Sequence, residues 1–181
     1  MSKYDYLYHI KCKAKAVARS TSTSLAVVQN QLAISGGFQH FHELRNVAKA
    51  TPKDIRLMRI ALGTDDLFEV IYEDPTYGEL GLLLDEVMSD SIAETNADGF
   101  GLEELEVTSA RYDESKGIAT LETEITYAGD QDPNKPFLGS SFYINAFISL
   151  TRRNSSWSLA IDALDVVSSV TDQELDWQQR A

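Results

Sequence analysis

Apolar residues over the first sixty positions recur mostly every three or four residues. Tyr4, Leu7, Tyr8, Ile10, Ala14, Val17 and Ala18 form the first such series, the spacing of an amphipathic helix. Its polar face carries Lys11, Lys13, Lys15 and Arg19. The cluster Ser20 to Ser24 breaks the pattern, and its hydroxyls suit the cap of a second helix. That helix holds Leu25, Val28, Leu32 and Ala33 or Ile34, and Gly36-Gly37 stops it. A third amphipathic stretch follows with Phe38, Phe41, Leu44, Val47 and Ala48. Thr51-Pro52 then reads as a helix start, Thr51 as N-cap and Pro52 at the first helical position. Leu57, Ile60 and Ala61 face inward there before Gly63 ends the segment.

Beyond Gly63 the periodicity changes. Leu67 to Tyr72 is a short β-rich run closed by Asp74-Pro75. From Thr76 to Ala97, Leu80, Leu83, Leu84, Val87, Met88 and Ile92 make a helical stripe, with Asp85, Glu86, Asp90 and Glu94 mostly off it. Asn96 to Gly99 ends it. Four strands are expected next. The first runs from Leu105 to Tyr112. In the second, Ala119, Leu121, Thr123, Ile125 and Tyr127 alternate with polar residues, the pattern of a strand with one wet face. Phe142, Ile144, Ala146, Ile148 and Leu150 form the third. A turn at Arg152 to Ser155 leads into Trp157, Leu159, Ile161 and Ala163. The predicted class is α+β: a small helical segment at residues 1–63, then a domain at 64–181 with a long helix on a four-stranded antiparallel sheet. A cystatin-like or nuclear-transport-factor-like cone is the nearest fold-level analogy, and such an analogy carries no function.

The stretch Ser24-Leu25 through Leu44, above all Gly37-Phe38-Gln39-His40-Phe41-His42-Glu43-Leu44, resembles a short helical element of uncharacterised bacterial plasmid and mobile-element proteins. Its usual form is a lysine- and alanine-rich helix, a Ser-x-Ser capped helix, then Gly-Phe/Tyr-x-x-Trp-x-x-Leu. This chain has Phe41 at the Trp position. The resemblance covers about residues 9–48 and implies a bacterial accessory role. Some proteins with the element are labelled glyoxalase-superfamily. The remainder of this chain has no histidine and so lacks the ligand set of a metal-dependent glyoxalase.

Charge sharpens the division. The chain of 181 residues has a formal net charge of −12. Residues 1–63 hold ten basic and three acidic residues, a net +7, and the remaining 118 hold six and 25, a net −19. Such asymmetry points either to nucleic acid at the basic segment or to mutual neutralisation of the two parts. No apolar run approaches the roughly 18 residues of a membrane span. With a single Cys12 and no apolar stretch near the N-terminus, the expected setting is the cytoplasm, without membrane association.

Motifs of catalysis are weak. His40-x-His42-Glu43 superficially resembles a metal motif, but residues two apart on a helix diverge. Asp130 to Asn134 resembles the start of a calcium loop but has Lys135 and Ser141 where Gly and Glu are required; a hairpin connection fits better. Asp98-Gly99-Phe100-Gly101 is no dinucleotide fingerprint, and no Gly-x-Ser-x-Gly elbow exists. No cofactor, metal or catalytic group is expected.

The resulting expectation is a protein that acts by binding: an antitoxin-like or regulatory adaptor, or an acidic inhibitor that mimics DNA. Lys11, Lys13, Lys15, Arg19, Arg45 and Lys49 are the candidate contacts to nucleic acid or a partner. Trp177, in an otherwise polar tail, either tucks onto the sheet or anchors a protein partner. The alternative is a small-molecule or enzymatic pocket between helix and curved sheet. Tyr127, Phe142 and Trp157 would line it, with Asp162 as its acid or base despite opposite strand parity to Trp157.

Overall fold

The computed structural model describes residues 3–153 and 156–180. Helices α1 (Tyr6–Thr21), α2 (Leu25–Ser35), α3 (Phe41–Ala50) and α4 (Ile55–Leu62) come first, then a 3-10 turn at Glu69–Tyr72. Helices α5 (Thr76–Val87) and α6 (Ser89–Ala93) precede strands β1 (Ala97–Asp113), β2 (Ile118–Gln131), β3 (Ser141–Arg153) and β4 (Ser156–Thr171), and α7 (Asp172–Arg180) follows. The chain divides into two compact units. The first comprises Met1–Val70, Tyr112–Ile118 and Arg152–Ser156, and the second takes Ile71–Arg111, Ala119–Thr151 and Trp157–Ala181. A contiguous division at residue 63 therefore misses two hairpin tips that cluster with the helices. No helix among the described residues is long and apolar enough to cross a membrane.

In the first unit α1 packs on α2 and α4, and α3 packs on α2. Ile10, Ala14, Leu44, Leu57 and Leu62 are fully buried there. Asp5 caps α1 by accepting from the Tyr8 N–H at 2.7 Å. A Cβ at Gly36 would run into the Ile60 side chain, so a bare backbone lets the end of α2 meet α4. Helix α4 starts three residues later than Thr51-Pro52 suggests. The Thr51 N–H is used to close α3 on Val47 O at 2.7 Å, while Asp54 Oδ1 accepts from the Arg56 N–H at 2.9 Å and becomes the N-cap. Phe38 lies ahead of α3 and is buried, with the Arg56 guanidinium 4.3 Å over its ring. The hairpin tips complete this unit: Tyr112 stacks on Tyr6 with ring centroids 6.0 Å apart, Glu114 pairs with Lys53 at 2.9 Å, and Gly117 lies against Tyr4.

In the second unit the strands pair in the order β1-β2-β3-β4, an antiparallel meander. The alternation read from the sequence sets its inner face. Leu121, Ile125, Tyr127, Ile144, Ile148 and Trp157 are buried, while Glu122 and Glu124 face out. Helix α5 adds Leu80 and Leu84, both fully buried. Thr76 Oγ1 donates to Trp157 O at 3.2 Å, and the Tyr127 hydroxyl donates to Asp85. The α+β class is thus observed, whereas a cystatin-like or nuclear-transport-factor-like cone is not confirmed.

Five details depart from the expected pattern. Leu67 to Tyr72 is no strand. Thr64 Oγ1 accepts from the Asp66 N–H and Asp66 Oδ1 from the Phe68 N–H, both at 2.9 Å, which curls the chain before the 3-10 turn. The long helix breaks at Met88 into α5 and α6, and β1 begins at Ala97, well before Leu105. In β4 Asp162 adopts φ +53°. The alternation is interrupted beside this left-handed residue: Ile161 is 89% exposed although it shares strand parity with Trp157 and Ala163, both buried. The polar tail forms α7, capped reciprocally: Thr171 N–H donates to Glu174 Oε2 at 2.8 Å and Glu174 N–H to Thr171 Oγ1 at 3.2 Å. The turn expected at Arg152 to Ser155 centres on residues 154–155, which lie outside the described residues.

Candidate functional site

The six cations singled out from the sequence fall into three places. Lys11, Lys15 and Arg19 recur every four residues along α1, which makes one stripe; Lys15 and Arg19 are exposed and Lys11 half-buried. Arg45 and Lys49 are exposed one turn apart on α3. Lys13 leaves the stripe and lines a cleft. Among the described residues the five stripe and α3 cations form no ion pair, whereas Lys53, Arg56 and Arg59 pair with Glu114, Asp54 and Asp65.

The cleft has a volume of about 240 Å³ and is lined by His9, Cys12, Lys13, Ala16 and Val17 of α1, Ala61 of α4 and Arg152 of β3. Three- and four-residue spacing along α1 gathers its five residues on one face. Gly63 makes room for the guanidinium. Its φ of +78° ends α4, and a Cβ there would stand 2.5 Å from Arg152 Nη2. The Lys13 ammonium donates to Ile60 O at 3.3 Å, which uses one of its three protons. Burial and the like charge of Arg152 hold Lys13 below its ordinary value. Burial and Arg152 also lower His9, against a smaller opposing pull from Asp5. The Tyr112 hydroxyl donates to Tyr4 O at 3.2 Å, so its oxygen accepts from His9 Nε2 at 2.8 Å. That arrangement keeps the proton of neutral His9 on Nε2 and leaves Nδ1 to titrate. Cys12 is an exposed thiol in the same cleft.

The second unit carries a different surface. Glu104 and Glu106 of β1 and Glu124 of β2 gather on the outer face of the sheet, beside Tyr143 and Asn145 of β3. A groove of about 770 Å³ runs between α5 and β4, walled by Leu82, Val87, Leu159 and Leu164 and rimmed by Glu86 and Asp162. Asp162 is exposed there and does not enter the sheet interior. Tyr127, Phe142 and Trp157, expected to line a pocket, are themselves buried core; their rings fill the space that a ligand would need. Trp177 does not tuck onto the sheet; it is 66% exposed on α7.

The remaining motifs resolve into local structure. His40 is the N-cap of α3, its Nδ1 accepting from the Glu43 N–H at 3.0 Å. His42 contacts Asn46 at 3.3 Å. Asp132 Oδ1 accepts from the Asn134 N–H at 2.9 Å, an Asx turn in the β2–β3 connection. Sequence reasoning missed Arg152 as a partner of Lys13, because 139 positions separate them and no local pattern links them. Helix α7 was signalled by Thr171-x-x-Glu174, a capping box in plain view. Compared with known proteins, the chain matches no family model, no curated protein and no solved structure.

Proposed function

We propose that this chain acts as an adaptor by binding, with its helical unit against nucleic acid and its acidic unit against a basic protein surface. The observation that carries this reading is charge segregated by unit. The first unit has thirteen Lys and Arg against eight Asp and Glu, a net +5, and the second has three against twenty, a net −17. On the helical unit Lys11, Lys15, Arg19, Arg45 and Lys49 are the phosphate contacts; among the described residues no carboxylate pairs with their ammonium and guanidinium groups. Such contacts position without reading sequence, so binding is salt-dependent and tolerant of sequence. On the acidic unit the Glu104, Glu106 and Glu124 face meets the protein partner, and exposed Trp177 is its aromatic anchor. The resemblance of residues 9–48 to plasmid-protein elements agrees with an accessory role on a mobile element.

Fluorescence anisotropy of the full chain with a labelled DNA duplex tests the reading. Each lost phosphate contact removes about 0.9 from the slope of log affinity against log salt. Lys15→Gln combined with Arg19→Gln is expected to weaken binding on every duplex and to lower that slope by about 2. Affinity that is absent at low salt, or unchanged in the double variant, overturns the proposal.

A further inference from the structure

The cleft of α1, α4 and the end of β3 gathers basic side chains from separate segments of the chain. The fold holds Lys13, Arg152 and His9 around about 240 Å³ of open space, and Arg152 disfavours the charged forms of both other groups. Gathering like charges in a half-buried recess costs free energy. Among the described residues no carboxylate is seen to shift Lys13, and Asp5 at the start of α1 acts on His9. An anion in the recess reverses the sign of each of these interactions. Its walls, Ala16, Val17 and Ala61, are short and apolar, and the volume lies below the roughly 300 Å³ at which drug-sized pockets begin. A small anion fits the space. Because the guanidinium presents paired donors and the ammonium a point charge, a group with several oxygens and two charges matches them best.

We propose that this cleft is a binding site for a doubly charged oxyanion, a phosphomonoester group, held by Lys13 and Arg152 with His9 beside them. The site stands apart from the exposed stripe of α1, so it does not depend on the duplex-binding reading. Occupancy couples to His9. The charged and titratable groups around that ring are Tyr4, Asp5 and Tyr8 of the α1 end, Cys12 and Lys13 one turn on, Tyr112 of the β1–β2 tip, and Arg152. A dianion bound beside them favours the protonated ring, so affinity for an oxyanion that keeps both charges rises as pH falls through the His9 range, and binding takes up a proton at Nδ1.

Sulfate is the probe for the coupling, since it keeps two charges across this range. NMR titration of the three histidines, assigned with His9→Gln, is expected to show the His9 pKa rising in sulfate, with about one unit for each tenfold preference for the protonated form. His40 and His42 stay fixed. Calorimetry with glycerol 2-phosphate is expected to give saturable binding that Lys13→Gln and Arg152→Gln each weaken by about tenfold or more, and that Lys116→Gln leaves unchanged. A 5′-phosphorylated single-stranded oligonucleotide, set against its 5′-hydroxyl form, separates the two sources of such a group. Preference for the phosphorylated form, reversed by glycerol 2-phosphate, identifies a nucleic-acid end; equal weak binding together with glycerol 2-phosphate affinity identifies a free phosphomonoester. If either variant fails to fold, the histidine titration of the unmodified chain decides. Equal shifts of all three histidines, or no saturable heat with glycerol 2-phosphate, overturns the proposal.

Discussion

At Asp162 a left-handed backbone coincides with the break in the alternation of β4. Its φ of +53° lies in the region that favours glycine and that Asp tolerates better than branched residues. With this residue in place Ile161 faces outward and Ala163 inward. Asp162→Val is expected to destabilise the protein by about 1–2 kcal/mol, whereas Asp162→Gly stays within about 0.5 kcal/mol of the parent. Urea unfolding midpoints check the contrast, and equal losses in the two variants would refute strain at this position. Gly63 has a comparable local role with a wider consequence: the residue that ends α4 also leaves space for Arg152. Gly63 thus shows a single residue controlling where a distant side chain can lie.

Among the elements, the boundaries of helices are set by which side chain captures the first free N–H groups. Thr51-Pro52 carries the composition of a start, yet the carboxylate of Asp54 bonds the Arg56 N–H and guanidinium together, at 2.9 and 3.1 Å through Oδ1. A charged cap held by its own ion pair prevails over a hydroxyl whose backbone N–H already closes α3. Asp54→Ala is expected to cost about 1–2 kcal/mol and Thr51→Ala only a few tenths, read from thermal unfolding by circular dichroism; a larger loss in Thr51→Ala would place the cap at Thr51 after all. The strands follow the opposite logic. Alternation was legible over residues 119–127 of β2 and 142–150 of β3, because a sheet with one buried face imposes period two along the stretch it covers. Helix α5 was legible by its stripe, but the break at Met88 was not, since Val87, Met88 and Ile92 continue the apolar pattern across it.

For the molecule as a whole, the sequence divides at the charge change and the structure divides by contact. The helical unit includes Tyr112, Glu114, Gly117 and Arg152 from two hairpin tips. Tyr6, His9, Lys53 and Tyr4 each lean on one of them. A fragment of residues 1–63 lacks all of these partners. Its thermal transition by circular dichroism is expected to be broad and low in amplitude beside that of the full chain, and a sharp cooperative transition would show the tips to be dispensable. Full-length protein is accordingly the right material for every binding measurement proposed above.

The sequence by itself determined the α+β class, the placing of the N-terminal helices and α5 ahead of four strands, the inner faces of β2 and β3 and the opposite charges of its two parts. Each of these is a sum of local preferences or a periodicity, repeated often enough that no single contact can reverse it. Only the tertiary structure decided that Lys13 leaves its own stripe of cations for a cleft with His9 and Arg152. It also decided that Tyr127, Phe142 and Trp157 are core and not the lining of a pocket. Those outcomes depend on which distant segments meet, and the chain between them carries no local trace of the meeting.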